Sequence, residues 1–160
     1  MKKALIVTLI LICVSVTWSS VANQNGVTSA QQKAIEKEIL KVHENMKKAA
    51  ESRNADELFK YVLDVNDVII ENGEMRSTRK EAYDITKQGL EAIEGISYNY
   101  DHMNVIVTSP TTALLTGTGT TTAKLSGDLE ISLDFAESMV YVLRDGQWKV
   151  VNGHRSSNMR

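Results

Sequence analysis

The hydrophobic period of the chain changes at Ile96, and this change limits the folds open to it. Before Ile96, apolar residues recur at steps of three and four, as in an amphipathic helix. From Ile96 onward they alternate with polar residues, as in a half-buried β-strand. Helices followed by antiparallel strands predict an α+β domain with the helices on one face of a sheet. The 160 residues, 42% of them apolar, suffice for one such core.

We expect three helices in the first part of the chain: a long one over about residues 29–52, a short one capped by Asn54, and one that begins with a capping box at Thr78 and ends at Gly95. A short strand at residues 68–70 precedes the third helix and ends in an Asn-Gly turn.

Turn signals divide the second part into a four-stranded meander. Asp145-Gly146 favours a two-residue hairpin, which fixes the register so that Arg144 pairs with Gln147. Continued without interruption, this register pairs Glu137 with His154. A three-residue loop at 126–128 likewise places Gly117 opposite Glu137. The expected strands are 96–108, 111–125, 129–143 and 147–157.

One face of the predicted sheet is apolar almost throughout, and Glu137 interrupts it. His154 is its expected partner, and Gly117 has no side chain to fill the space beside it, so we expect a cavity here. The carboxylate would orient the imidazole and raise its basicity, giving a general base or a hydrogen-bonding anchor. A purely structural buried pair is the alternative. The residues expected to line the cavity and bind a ligand are Tyr141, Asn152, His102, Phe135 and Trp148.

Other residues near this cavity carry weaker signals. His102 reaches the same row only if the turn at Ser109-Pro110 is tight, and we expect a β-bulge beside it that would re-aim side chains. His43 lies on the first helix. It either borders the cavity or only lies at the boundary of the helix face that packs on the sheet. Tyr98 and Tyr100 line the cavity or belong to the core.

The opposite face of the sheet also carries an apolar row. An uncovered sheet face should be polar, so the simplest cover is a second copy of the chain. We therefore expect a homodimer through the sheet. The residues that predict this interface are Leu114, Val140, Val142 and Val151.

The N-terminus has the pattern of a secretory signal peptide. Lys2-Lys3 precede an apolar run at residues 4–16, and small residues end at Ala22, where we expect cleavage. The run is shorter than the roughly 20 residues that a membrane span needs. We expect a secreted or periplasmic protein with a polar leader at 23–27 and a single domain at 28–157.

Cleavage would also remove Cys13, the single cysteine of the chain, so thiolate chemistry and disulfides are not expected. Lipid modification of Cys13 is disfavoured because the bulky Leu11-Ile12 pair precedes it. The net charge of −2 excludes a basic nucleic-acid footprint and favours no contact with an anionic membrane. No His-x-His or His-x-x-x-His spacing predicts a metal, and we expect no cofactor.

Two segments carry a resemblance to a known family. Residues 140–156 read VYVLRDGQWKVVNGHRS, and residues 54–57, between the first two helices, read NADE. Together with the order of helices and strands, they resemble the SnoaL-like, DUF4440 branch of the nuclear transport factor 2-like (NTF2-like) superfamily over about residues 28–157. The resemblance implies a conical α+β fold, a pocket between helices and sheet, and dimers through the sheet.

Membership of this superfamily does not determine function, because it includes isomerases, dehydratases, cyclases, epoxide hydrolases and non-catalytic binding modules. Steroid isomerase relatives carry a catalytic Asp and a Tyr where this chain has Glu71-Asn72 and Met46-Lys47, which disfavours that activity. The sequence favours an exported protein that binds a small apolar molecule. The alternatives are a cofactor-independent acid–base enzyme, such as an isomerase, dehydratase or cyclase, and a pure interaction module.

Overall fold

A computed structural model describes residues 26–71 and 73–159. The predicted signal peptide, Cys13 and Asn72 lie outside the described residues. The predicted α+β class is confirmed, with helices before the long strands. The elements are α1 (Ser29–Glu51), α2 (Ala55–Phe59), β1 (Asn66–Glu71), β2 (Glu74–Thr78), α3 (Arg79–Glu91), β3 (Gly95–Ser109), β4 (Thr112–Lys124), β5 (Glu130–Arg144) and β6 (Gln147–Met159).

Each helix begins at a polar residue that caps it. Thr28, Asn54 and Thr78 each accept, through a side-chain oxygen, a hydrogen bond from the main-chain N–H three residues further on. Such a cap contributes about 1 kcal/mol because it satisfies a donor that the helix leaves unpaired. Helix α3 ends at Glu91 rather than at Gly95, which instead begins β3. No helix within the described ranges is long and apolar enough to cross a membrane.

The six strands form one sheet in the order β2-β1-β6-β5-β4-β3. Strands β3 to β6 are the expected antiparallel meander, and β1 joins its edge by pairing parallel to β6. The alternating pattern did not predict β2, which forms a hairpin with β1. We call the sheet face that packs against the helices the inner face and the opposite one the outer face.

The register predicted from Asp145-Gly146 is confirmed only near the turn, where Leu143 lies opposite Trp148 and Tyr141 opposite Val150. Beyond Val150, β6 contains a β-bulge that adds one residue before pairing resumes, so Val140 lies opposite Asn152.

The bulge changes which side chain of β6 faces the helices. Glu137 lies opposite Arg155, and His154 lies opposite Ser138. Since successive side chains of a strand point to opposite faces, Arg155 lies on the inner face while His154 is exposed on the outer face. The predicted Glu137–His154 pair is therefore wrong.

A second irregularity lies in β3, at the expected place. The register with β4 shifts between Tyr100, which lies opposite Gly119, and His102, which lies opposite Thr118. The extra residue brings Tyr100 to the inner face and leaves His102 exposed on the outer face. Gly117 lies opposite Glu137, as predicted.

The hydrophobic core lies between the inner face and the three helices. Helix α1 is tied to β3 at its C-terminal end, where the Glu51 carboxylate accepts a hydrogen bond from the Tyr98 main-chain N–H, 3.0 Å away. Burial of the apolar side chains of the core provides the main driving force for folding. The buried core residues are Ile39, Met46, Phe59, Val62, Ala82, Ala113, Leu115, Tyr141, Trp148 and Val150.

Candidate functional site

A group of polar side chains lies on the inner face beside this core. It contains one residue from α1, one from β3, two from β5 and one from β6, and we call it the polar cluster. The irregularities in β3 and β6 bring two of its members, Tyr100 and Arg155, to the inner face. Its members are His43, Tyr100, Glu137, Tyr141 and Arg155.

Glu137 is the centre of the polar cluster, and its side chain is fully buried. Its Oε1 accepts a hydrogen bond from the Tyr100 hydroxyl, 2.8 Å away. Its Oε2 accepts two from Arg155, from Nε at 3.1 Å and Nη2 at 2.6 Å. A buried carboxylate is costly unless it is paired and hydrogen-bonded. These three donors hold the Glu137 carboxylate in one position.

Arg155 supplies the counter-charge and forms one boundary of the polar cluster. Its side chain is 24% exposed, and its guanidinium lies over the rings of Tyr98 and Phe135, 5.0 Å from each centroid. Burial by itself would lower the pKa of Arg155, but the neighbouring Tyr98 and Glu137 outweigh it and raise the pKa. Arg155 is therefore a fixed cation that stacks on aromatic rings.

His43 is 3% exposed, and its two ring nitrogens have different surroundings. Nδ1 lies 3.1 Å from the Tyr141 hydroxyl. Nε2 lies 3.4 Å from Glu137 Oε1, close enough for an ion pair if the ring is protonated, but it forms no hydrogen bond with any described residue. Burial lowers the pKa of His43, and the Glu137 carboxylate offsets this only in part. The imidazole is therefore neutral near pH 7.

The two tyrosines of the polar cluster are neutral donors. Burial, followed by the negative charge of Glu137, raises the pKa of both Tyr100 and Tyr141. The Tyr141 hydroxyl also lies 3.7 Å from Met46 Sδ and 3.6 Å from Met139 Sδ. The hydroxyl therefore has two thioether sulfurs within hydrogen-bond distance.

The space expected beside Gly117 is filled. A Cβ added to Gly117 would lie 3.1 Å from Tyr100 Cε1, because the tyrosine ring lies against this glycine. The same ring meets His43 and Phe135 edge to face, with centroids 5.2 and 5.1 Å away. Tyr100 thus occupies the place where a cavity was predicted.

Two open pockets lie elsewhere on the described surface. One, of about 430 Å³, is lined mainly by outer-face residues such as His102, Thr118 and Ala136. Glu137 also borders it, but only with its main chain, since its side chain is fully buried. The other, of about 300 Å³, lies between α2 and α3 beside Asp64.

The structure separates the predicted site residues into three groups. Glu137 and Tyr141 belong to the polar cluster, and Phe135 packs directly beside it; their roles toward a ligand stay predictions. Trp148 is a buried core residue next to the β5–β6 turn. The placement of the remaining residues in the cavity is wrong, because the two bulges put them on the outer face: His102, Asn152 and His154.

Sequence reasoning missed Arg155 as the partner of Glu137. It left the roles of His43 and Tyr100 open. His43 did carry a signal, because it falls between Ile39 and Met46 on the buried stripe of α1. No group of three or more possible metal ligands occurs in residues 26–71 and 73–159.

The layer of helices on the inner face of a curved sheet is the NTF2-like α+β fold. The chain belongs to the SnoaL-like domain family, whose model matches residues 39–160, more than half of its length. No curated protein shows significant sequence similarity to it.

Solved structures share this fold at low sequence identity. A candidate scytalone dehydratase from Novosphingobium aromaticivorans is 16% identical, with a TM-score of 0.74 over 82% of this chain and 89% of that one. A candidate NTF2-like dehydratase from Streptomyces avermitilis is 17% identical, with a TM-score of 0.71 over 80% and 99%. A hexachlorocyclohexane dehydrochlorinase from Novosphingobium barchaimii is 15% identical, with a TM-score of 0.67 over 83% and 91%.

Proposed function

We propose that the protein is a cofactor-independent lyase that removes a proton from a small uncharged substrate and expels a leaving group. The observation that carries the proposal is His43 Nε2, a buried ring nitrogen without a hydrogen bond beside the ionised Glu137. Leaving a buried polar atom unpaired costs about 1–3 kcal/mol. A catalytic role explains why the protein tolerates this cost: the lone pair of the nitrogen is kept free to accept a proton from the substrate.

In the proposed reaction, His43 is the general base. Nε2 takes a proton from a substrate carbon, the C–H electron pair forms a double bond to the adjacent carbon, and the leaving group departs with its own electron pair. The resulting imidazolium lies 3.4 Å from Glu137 Oε1, whose negative charge stabilises it. Glu137 itself is not the base, since its oxygens already accept three hydrogen bonds.

The charges of the polar cluster favour an uncharged substrate. The negative Glu137 and positive Arg155 balance one another, and His43 is neutral. An ionised substrate would therefore lose its hydration without gaining an unpaired counter-ion. The polar cluster comes nearest to solvent at Tyr98 and Arg155, which are half-buried, whereas His43 and Glu137 are buried. A substrate would therefore have to displace part of the Tyr100 packing to reach Nε2.

The comparisons support the reaction class at the level of the family alone. Dehydratases and a dehydrochlorinase both perform eliminations, and both kinds of protein share this fold. At 15–17% identity they lend the proposal no substrate and no catalytic residue.

Proton exchange into deuterated water tests the proposal. The wild-type protein is incubated with small uncharged β-hydroxy and β-chloro carbonyl compounds, and loss of the α-proton and appearance of the alkene are followed by NMR. We expect His43→Gln to lose at least roughly 100-fold in rate, which is typical of removing a general base.

His102→Gln and His154→Gln are the matched controls, because both histidines are exposed outside the polar cluster. They should keep the wild-type rate. A folded His43→Gln protein as active as wild type would contradict the proposal, as would wild-type protein that converts no substrate in the panel to its alkene.

A further inference from the structure

We propose that Met46 and Met139 are positioning residues that set the tautomer of His43 through the Tyr141 hydroxyl. The inference rests on the proposed function in one respect, since it identifies which ring nitrogen is free to act as the base. It concerns the protons of the resting protein, so it can be tested without a substrate.

The Tyr141 hydroxyl has one proton and three acceptors within reach. They are His43 Nδ1 at 3.1 Å, Met139 Sδ at 3.6 Å and Met46 Sδ at 3.7 Å. If the proton points at Nδ1, this nitrogen is an acceptor and the ring proton lies on Nε2. If the proton points at a sulfur, the phenol oxygen accepts from Nδ1–H, and Nε2 is left with its lone pair.

The geometry at the other nitrogen favours the second arrangement. Nε2 lies 3.4 Å from Glu137 Oε1 and forms no hydrogen bond with it. A proton on Nε2 would therefore interact with the carboxylate only through its charge. A proton on Nδ1 has a hydrogen-bond acceptor, the Tyr141 oxygen. Tyr141 keeps its own proton, and when its oxygen accepts from Nδ1–H the two sulfurs are the acceptors within reach of that proton.

The two sulfurs come from the elements that carry the histidine and the tyrosine. Met46 follows His43 by one turn of α1, and Met139 precedes Tyr141 by two residues on the same face of β5. Both contacts are therefore built into the local geometry. Leucine has a similar volume and no acceptor, so Met→Leu substitution removes the hydrogen bond while largely keeping the packing.

Nitrogen NMR of the histidine rings tests the inference directly. Protein labelled with ¹⁵N-histidine is examined by long-range ¹H–¹⁵N correlation above pH 6.5, where His43 is neutral. We expect wild-type His43 to be protonated at Nδ1 with Nε2 bare. The double variant Met46→Leu/Met139→Leu should move the proton to Nε2, because Tyr141 must then donate to Nδ1.

The matched control is Met103→Leu/Met159→Leu, the same chemical change at two exposed positions, which should keep the wild-type tautomer. A wild-type ring protonated at Nε2 overturns the inference. So does a folded Met46→Leu/Met139→Leu protein in which Nδ1 stays protonated.

Two further measurements keep the test decisive. If the double variant fails to fold, Tyr141→Phe removes the same oxygen acceptor and should also move the proton to Nε2. If the wild-type protein has the expected tautomer but converts no substrate to its alkene, the proposed function fails and the tautomer inference stands. In an active protein, the double variant should lower kcat tenfold or more while changing KM little.

Discussion

Glu137 is stable in an apolar surface because two residues pair with it, Tyr100 through a hydrogen bond and Arg155 through its positive charge, and each lies close by for a separate reason. Tyr100 reaches it because Gly117 leaves room for the tyrosine ring. Arg155 reaches it because the bulge in β6 turns the guanidinium inward. Removing one partner of such a pair costs more than removing both, since the remaining charge is left buried.

Arg155→Met should therefore destabilise the protein by about 3 kcal/mol, the lower end of the range for buried pairs because the arginine is partly exposed. Urea unfolding followed by circular dichroism measures this loss. The double variant Glu137→Leu/Arg155→Met should recover at least half of it. Equal instability of the single and double variants would show that the pair contributes through packing alone.

His43 should make the stability depend on pH in a known direction. Its pKa in the folded protein is below the ordinary value of 6.5, so the unfolded chain binds a proton at a higher pH than the folded one does. The contribution is fully present above pH 6.5 and is lost as the pH falls from 6.5 toward the lowered pKa.

The measurement is the difference in unfolding free energy between wild type and His43→Gln, taken from about pH 7.5 to pH 5. It should decrease on acidification by up to about 1.4 kcal/mol per pH unit. Acidic side chains titrate in both proteins and cancel. His154→Gln, which changes an exposed ring, should follow the wild type; a flat difference for His43→Gln would contradict the assignment.

Strand β4 carries two glycines, Gly117 and Gly119, and the neighbouring strand β3 leaves less room for a side chain at one than at the other. A Cβ on Gly119 would lie 2.1 Å from the Asn99 carbonyl oxygen, which is main chain and cannot move aside cheaply. A Cβ on Gly117 would lie 3.1 Å from the Tyr100 ring and 3.4 Å from the His102 carbonyl oxygen, which is an ordinary contact. The bulge of β3 thus packs directly against β4.

Gly119→Ala should accordingly cost about 3 kcal/mol, and Gly117→Ala about 1 kcal/mol, as expected for overpacking against a rigid and a movable neighbour. Gly89→Ala in α3, where nothing lies within 4 Å, should stabilise by about 0.5–1 kcal/mol. Thermal unfolding of the three variants measures the order, and a Gly119→Ala protein as stable as wild type would be inconsistent with the β3–β4 contact.

The elements also show which features the sequence could predict. Helix starts depend on one side chain and the N–H three residues on, and Asp145-Gly146 determines the pairs next to it; such local features were predicted correctly. The β6 bulge depends on how the whole strand packs, and Gly153 close to it is only a weak signal, because an isolated glycine in a strand does not fix where a bulge lies. A one-residue shift inverts every later side chain, so His154 was predicted inside and Arg155 was overlooked.

In the molecule as a whole, the outer face of the sheet is not covered by any of the helices in the described residues. Several apolar side chains of this face are half-buried, and Ile106, which also belongs to it, is 46% exposed. We propose that a second copy of the chain covers it. The apolar residues that the register places on it are Leu114, Val140 and Val142, and Val151 lies in the β6 bulge beside Asn152.

Sedimentation velocity at micromolar concentration should show a dimer for the wild type and a monomer for Val140→Asp, because a buried unpaired carboxylate disfavours the interface. Leu40→Asp, the same kind of change on the exposed side of α1, should remain dimeric. A monomeric wild type would refute the proposed interface. Export after cleavage at Ala22 and binding of a small apolar molecule also stay predictions.

The parallel pairing of β1 with β6 joins the beginning of the domain to its end. During synthesis on a ribosome, β1 is made early, yet its partner strand is among the last parts to leave the exit tunnel. The meander and the β1–β2 hairpin can form between neighbours in sequence, whereas the pairing of β1 with β6 must wait until β6 has been made. His43 and Arg155 therefore meet around Glu137 only after translation of the domain is finished.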